Sequence, residues 1–227
     1  MNYLIDSGNL EEIKYANEFF PIVGVTTNPT LVARENMDFV KLFTSIREII
    51  GPDKMLHVQT TATKAEQIVE EAVALKKLLG DNFFIKIPIS EEGLKATRKL
   101  KEQGIGVTMT AIFAPQQALI AAKAGAAFVA PYVKRLDNIS ADGGVQTVAD
   151  IVNLFDIYSL DCQVLAASFT TSYELHKVAL TGAHNATISA KLLKAAITHS
   201  MTENAIVGFE NDWKSVYGDK TVLDFVK

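Results

Sequence analysis

Lys86 stands alone inside an apolar run, Phe83-Phe84-Ile85-Lys86-Ile87-Pro88-Ile89. A lysine is seldom drawn into such surroundings without a reason, because removing its ammonium from water is expensive. Burial favours the neutral amine, and a neutral amine is the nucleophile that adds to a carbonyl to form a Schiff base. The run therefore points to a carbonyl enzyme, with a snorkelling lysine on an edge strand as the other reading of this segment taken alone. Further polar or aromatic residues close similar short runs: Asp6, Thr26 with Asn28 just beyond it, Gln59, Thr110, Tyr132 and Ser168. Singly, Asp6 before Ser7-Gly8-Asn9 looks like a loop start and Asn28-Pro29 like a turn. Arg135 follows in Tyr132-Val133-Lys134-Arg135-Leu136-Asp137. An arginine beyond a strand end can hold a phosphate through charge-assisted bonds; a surface pair with Asp137 is the plainer alternative.

These residues need elements to position them. Short β-type runs alternate with longer helical patterns. The strand candidates are 3–5, 22–26, 55–59, 83–87, 106–110, 127–132, 163–167 and 185–189. Between them lie apolar residues at i, i+3, i+4 spacing, most plainly over 63–79, where Ala65, Ile68, Val69, Ala72, Val73, Leu75 and Leu79 make a stripe flanked by Glu66, Glu70, Glu71, Lys76 and Lys77. Stretches 91–103 and 146–158 behave likewise. Strands with so little room for polar residues on either face suit a parallel sheet covered by helices. Roughly eight βα units in about 200–250 residues is the economy of a (β/α)8 TIM barrel. A doubly wound open sheet is the competitor, weakened by the lack of a Gly-x-Gly-x-x-Gly turn after the first strand. The expectation is one α/β barrel over 1–200, with 201–227 as a C-terminal helical extension of the same domain. There Ala205, Ile206, Phe209, Trp213 and Val216 recur at helical spacing, in a helix that covers the barrel or meets another subunit.

Side chains alternate along a strand. If Lys86 points into the barrel, so does Phe84, while Ile85 and Ile87 face the helices. The polar strand-end residues then converge on the C-terminal edge, where barrels carry their active sites. The stretch Ser140-Ala141-Asp142-Gly143-Gly144 reads as a flexible loop before a helix starting near Gln146, or as a supplier of backbone N–H groups to an anion.

Composition narrows the classes. Of 227 residues 48% are hydrophobic and 21% charged, which is a folded chain rather than a disordered or disulfide-rich one. The net charge of −4 has no long run of one sign, so nothing points to nucleic acid or to a membrane surface. No stretch is long and apolar enough for a membrane span or a signal peptide. Cys162, the single cysteine, cannot form an intrachain disulfide and suits a reducing cytoplasm as a passive thiol. His57, His176, His184 and His199 show no metal-ligand spacing; His57 reads as a core histidine, His176 belongs to a helix face, and no metal site is expected.

Gly24-Val25-Thr26-Thr27-Asn28-Pro29-Thr30, Ile85-Lys86-Ile87-Pro88, Ala130-Pro131-Tyr132-Val133-x-Arg135 and Leu165-Ala166-Ala167-Ser168-Phe169, in this order and spacing, resemble the small transaldolases and their close relative, fructose-6-phosphate aldolase. The likeness runs from Asp6 to the Trp213 region. It implies a (β/α)8 barrel with a Schiff-base lysine on the fourth strand, no cofactor, and sugar phosphates and dihydroxyacetone as small-molecule partners. By the same resemblance Lys86 forms the imine. Asp6 and Asn28 bind hydroxyls of the dihydroxyacetone unit, and Asp6 also moves protons at the cleaved hydroxyl. Thr26 lies in the same binding edge. Thr110, Gln59 and Tyr132 hold a catalytic water, with Tyr132 as proton donor and acceptor, and Arg135 and Ser168 take the sugar's phosphate.

Two positions bear on the subtype. Transaldolases of this family usually carry Glu where this chain has Gln59 and Phe where it has Tyr132, whereas the aldolase branch carries Gln and Tyr. The resemblance therefore favours the aldolase, with the transaldolase as alternative and a non-catalytic sugar-phosphate-binding barrel as a second; a metal-dependent aldolase is disfavoured by the scattered histidines. One departure is Thr170, where relatives often have Lys or Arg. The loss of that cation weakens the expected phosphate site. Lys134 beside Arg135 is a candidate to compensate, although strand parity points it away. The aromatic C-terminal helix and the resemblance imply a homo-oligomer built on a ring, such as a decamer.

Overall fold

The computed structural model describes residues 1–139 and 143–227. Its contacts divide into two compact units, Met1–Leu192 and Leu193–Lys227. In the first, the strands are β1 (Asn2–Asp6), β2 (Ile22–Thr26), β3 (Met55–Gln59), β4 (Phe83–Pro88), β5 (Gly106–Ile112), β6 (Phe128–Pro131), β7 (Gln163–Ala166) and β8 (Asn185–Ile188). All neighbouring pairs are parallel, and β8 returns to β1, so the sheet closes in sequence order into an eight-stranded barrel. The helices between them are α1 (Leu10–Phe19), α2 (Pro29–Glu35), α3 (Phe39–Ile50), α4 (Ala65–Leu79), α5 (Glu91–Glu102), α6 (Pro115–Ala124), α7 (Val133–Asp137), α8 (Gly143–Ile157) and α9 (Ser172–Ala179). The expected (β/α)8 architecture is therefore the one observed, and the open sheet is excluded.

Several helices begin where the chain provides a side-chain cap. Asn9 accepts from the Glu11 and Glu12 N–H groups, Ser90 accepts from Gly93, and Thr171 forms a capping box with Glu174. The apolar stripes seat on the outer face of the sheet. Ile5, Val25, Val58, Ile85, Val107, Val129 and Val164 are fully or almost fully buried, beneath Ile13, Phe43, Ile46, Leu100, Ile151 and Phe155.

A second apolar layer fills the barrel itself. Leu4, Phe84, Phe128 and Leu165 pack together, although β1 and β4 are not neighbours, which is possible only through the interior. Phe84 thus shares the inward face with Lys86, as strand parity predicts. Gly106 makes room for it: a Cβ there would lie 2.4 Å from the Phe84 ring. Gly24 does the same for the backbone, since a Cβ would lie 2.4 Å from the Met55 carbonyl oxygen. That contact lets β2 and β3 sit close enough to aim Thr26 and Gln59 at one edge.

The second unit holds the end of α10 (Ala190–Ile197), then α11 (Ser200–Tyr217) and α12 (Leu223–Val226). His199 caps α11, accepting from Met201 N–H. Ile206, Val207, Phe209 and Val216 are exposed on α11. Trp213 and Tyr217 each meet Phe225 edge-on and pack against each other at a tilt, and the Trp213 indole N–H donates to the Lys220 carbonyl at 2.6 Å. Among the described residues no helix is long and apolar enough to cross a membrane.

Candidate active site

The predicted polar residues do gather on the C-terminal edge of the strands. Asp6, Thr26 and Gln59 are the last residues of β1, β2 and β3, and Lys86 lies beside Gln59 in the β3–β4 register. Thr110 is near the end of β5, Tyr132 follows β6 directly and caps α7, and Ser168 follows β7. A cavity of about 700 Å³ at the opposite end, lined by Phe84, Phe128, Cys162 and Gln163 among others, contains none of them.

Lys86 is 3% exposed, and its Nζ donates to the Thr27 carbonyl at 3.2 Å. That is its one protein hydrogen bond among the described residues. The snorkelling reading is therefore set aside: the ammonium nitrogen lies inside the barrel mouth rather than outside it. Below it the His57 ring stacks on Phe84 at 4.8 Å and meets Phe128 edge-on at 5.2 Å. His57 Nδ1 pairs with the Thr108 hydroxyl at 2.8 Å, and Thr108 is the β5 residue opposite Lys86. Burial, and secondly the charge of Lys86, push the His57 imidazole down from 6.5 to about 3. It is a neutral core histidine, as the sequence indicated, packed next to the lysine.

On the other side of Lys86, Thr26 links two strands. Its hydroxyl donates to Asp6 Oδ1 at 2.7 Å and lies 2.6 Å from the Thr187 hydroxyl. With its only proton directed to the carboxylate, Thr26 must accept from Thr187, so the order Thr187 to Thr26 to Asp6 is fixed. Thr187 was missed from sequence. Its signal was the inward parity it shares with Asn185 on β8, a strand for which no edge residue was proposed. Asn28 caps α2, its side-chain oxygen accepting from Leu31 N–H at 3.1 Å, which holds the amide at the barrel mouth.

The third group is built on β5 and α7. The Thr110 and Tyr132 hydroxyls are 3.1 Å apart. The Tyr132 ring meets the Phe113 ring edge-on at 5.4 Å, and the Arg135 guanidinium lies 4.8 Å from its centroid. Backbone strain aims these groups. The β5–β6 register shifts between Met109 and Ile112, with Ala111 at φ +57°, a bulge of the kind that redirects neighbouring side chains. Ser168 is also left-handed, at φ +66°, and its carbonyl accepts from Lys134 N–H at 2.8 Å. Arg135 and Ser168 are thereby brought to the same end of the edge. The alternative pairing of Arg135 with Asp137 is not formed: Asp137 accepts from Gly144 N–H at 2.7 Å.

One further expectation differs in part. Residues 140–142 lie outside the described residues, and Gly143 and Gly144 belong to α8 rather than to a loop. Gly144 permits this start, since a Cβ would be 2.3 Å from the Val133 carbonyl oxygen. The five-residue α7 was not anticipated.

The remaining candidate groups have other duties. Burial pushes the Cys162 thiol up to about 12, which makes it inert. His184 Nδ1 accepts from Val164 N–H. Among the described residues no group of three or more His, Cys, Asp or Glu side chains could hold a metal.

A closed parallel barrel with a buried lysine on its fourth strand and a polar C-terminal edge defines a (β/α)8 enzyme scaffold. The comparisons specify the family. The family model described as "Transaldolase/Fructose-6-phosphate aldolase" matches residues 3–221. Proteins named "Probable transaldolase" include one from Clostridium acetobutylicum, 41% identical over 217 residues and covering 96% of this chain and 99% of its own. Another, from Lachnoclostridium phytofermentans, is 38% identical over 219 residues, covering 96% and 100% respectively. The chain belongs to the transaldolase/fructose-6-phosphate aldolase family, and it is an enzyme. Among solved structures a mandelate oxidase variant matches with TM-score 0.56 and 11% identity, over 80% of this chain and 59% of that one. At that identity the likeness is one of fold alone.

Proposed function

We propose that the enzyme is a Schiff-base aldolase that cleaves fructose 6-phosphate to dihydroxyacetone and glyceraldehyde 3-phosphate, and runs the reverse joining. In this reading the Lys86 amine adds to the C2 carbonyl, water leaves, and an iminium forms. Asp6, oriented by Thr26, accepts the C4 hydroxyl proton. The C3–C4 bond breaks, its electrons passing to the iminium as an enamine, and the aldehyde phosphate leaves. Tyr132, held by Thr110, delivers a proton to C3. Water, positioned by Gln59 and Thr110, then hydrolyses the imine, freeing dihydroxyacetone and the Lys86 amine. Asn28 binds hydroxyls of the three-carbon unit, and Arg135 and Ser168 take the phosphate.

The observation that carries the aldolase reading is the Tyr132–Thr110 hydroxyl pair on the edge that holds Lys86. A phenol there can exchange protons with the enamine and the water, and so supports exit of the ketone instead of transfer. The second reading, dihydroxyacetone transfer to an aldose phosphate, is favoured by the names of the relatives. Incubation with fructose 6-phosphate, with and without erythrose 4-phosphate, separates the two when glyceraldehyde 3-phosphate is followed by a coupled dehydrogenase. Release without acceptor, with free dihydroxyacetone, supports the aldolase; release only with acceptor makes the enzyme a transaldolase. In Tyr132→Phe free dihydroxyacetone should fall by about 10²-fold, the lower range for loss of a general acid–base, while transfer is retained. An unchanged partition between the two would remove Tyr132 from this role.

A further inference from the structure

The phosphate end carries a charge arrangement that the reaction itself does not require. Lys134 precedes Arg135, and its backbone N–H is bonded to the Ser168 carbonyl. Its ammonium, however, is 3.3 Å from Glu174 Oε1. Glu174, on the first turn of α9, is held from several sides. Oε2 accepts from the backbone N–H groups of Thr170 at 2.7 Å and Thr171 at 3.2 Å, and Oε1 accepts from the Thr170 hydroxyl at 3.0 Å. Glu174 N–H donates in return to the Thr171 hydroxyl at 3.1 Å. Burial alone would raise this carboxyl, but the hydrogen bonds from Thr170, Thr171 and Lys134 outweigh it and hold it below the ordinary carboxylate range. A fixed anion at the start of α9 is therefore bonded to Thr170, two residues after Ser168, and it engages Lys134, the residue next to Arg135. The sequence had marked Thr170 as a missing cation and Lys134 as its substitute; the structure commits Lys134 elsewhere.

We propose that Glu174 determines specificity: by pairing with Lys134 beside Arg135 and Ser168, it weakens the site's preference for phosphorylated over neutral polyhydroxy substrates, so that unphosphorylated aldehydes compete as acceptors. This rests on reading Arg135 and Ser168 as the phosphate end. The formal charges there are Arg135 +1, Lys134 +1 and Glu174 −1, a net +1. Glu174→Gln makes it +2, Lys134→Met makes it 0, and the double variant returns it to +1. Glutamine also serves at the third position of a capping box, so α9 keeps its start. One unit charge at a screened, partly exposed site changes the binding of an anion by roughly three- to thirty-fold at low salt.

The test uses the full chain and joins dihydroxyacetone either to glyceraldehyde 3-phosphate or to glyceraldehyde. The quantity measured is the ratio of the two kcat/KM values. Glu174→Gln should raise the ratio roughly three- to thirty-fold, Lys134→Met should lower it, and the double variant should return near the wild-type value, with all differences shrinking as salt is added. A ratio that does not rise in Glu174→Gln, or single variants that move in the same direction, overturns the proposal. Arg135→Gln separates this from a failure of the underlying reading. If Arg135→Gln lowers the ratio and Glu174→Gln does not move it, only the role of Glu174 is wrong. If Arg135→Gln leaves the ratio unchanged, the phosphate binds elsewhere and both ideas fall.

Discussion

His57 gives the fold a measurable acid sensitivity. Its imidazole is enclosed by Phe84, Phe128 and Thr108, with Lys86 as the neighbouring cation, and it titrates near 3 in the folded protein against 6.5 for an ordinary histidine. Between those values the unfolded chain binds a proton that the folded chain does not. Stability from this group is therefore complete above 6.5 and is lost as the pH falls toward 3. Linkage over this interval gives a loss of about 2 kcal/mol on going from pH 8 to pH 5, and about 5 kcal/mol at the acid limit. For a chain of this length 2 kcal/mol corresponds to about 4–8 °C in Tm. The perturbation is His57→Leu, which removes the titration and the Thr108 bond together. The assay is urea unfolding at pH 8 and at pH 5 for both proteins. Every other ionisable group is common to the two proteins, so its contribution cancels when the pH 8-to-5 losses are subtracted. The wild type should lose about 2 kcal/mol more than the variant over this interval, whatever the variant's absolute stability. Parallel losses in the two proteins would show that His57 is charged or solvated when folded, and the description of the barrel interior beneath Lys86 would be wrong.

Other perturbations test the remaining parts of the edge. Lys86→Met should abolish turnover and borohydride trapping of dihydroxyacetone, because among the described residues Lys86 is the lysine that bonds the Thr27 carbonyl beside Gln59; a trapped adduct of full stoichiometry in the variant would assign the imine to another residue. Thr26→Val leaves the Thr187 hydroxyl without its acceptor and Asp6 without its donor, and should destabilise the fold by about 1–3 kcal/mol in urea titrations while lowering kcat. Gly106→Ala drives a methyl group into the Phe84 ring and should cost about 1–3 kcal/mol; if it is tolerated at wild-type Tm, the interior layer is looser than the geometry indicates.

The eight strands were legible because parallel strands covered on both faces become short continuous apolar runs, and Lys86 was conspicuous because it interrupts one of them. Strand parity then carried Phe84 to the interior and His57 to the core, both as found. What sequence could not give was local geometry without periodicity. The helix α7 has five residues, too few to display a stripe. The bulge at Ala111 and the left-handed Ser168 are set by tertiary closure, since neither alanine nor serine announces a positive φ. The Lys134–Glu174 pair spans 40 positions in the chain, and nothing local to either residue points to the other.

Those illegible features share a location. Ala111 precedes the turn into Phe113, α7 carries Arg135, and Ser168 accepts from Lys134, so all of them surround Tyr132. A residue followed by a helical turn only five residues long has little regular structure to orient it. Its orientation comes from the Thr110 hydroxyl, the Phe113 edge and the Arg135 guanidinium instead. The arrangement ties the group read as the proton donor to the group read as the phosphate anchor: Arg135 cannot turn toward an anion without altering its contact with the Tyr132 ring. Lys86 by contrast is placed by the regular part of the fold, inside a six-residue strand paired on both sides. Imine formation should therefore tolerate changes on α7 and on the loop after β7, whereas the fate of the enamine, release or transfer, should respond to them.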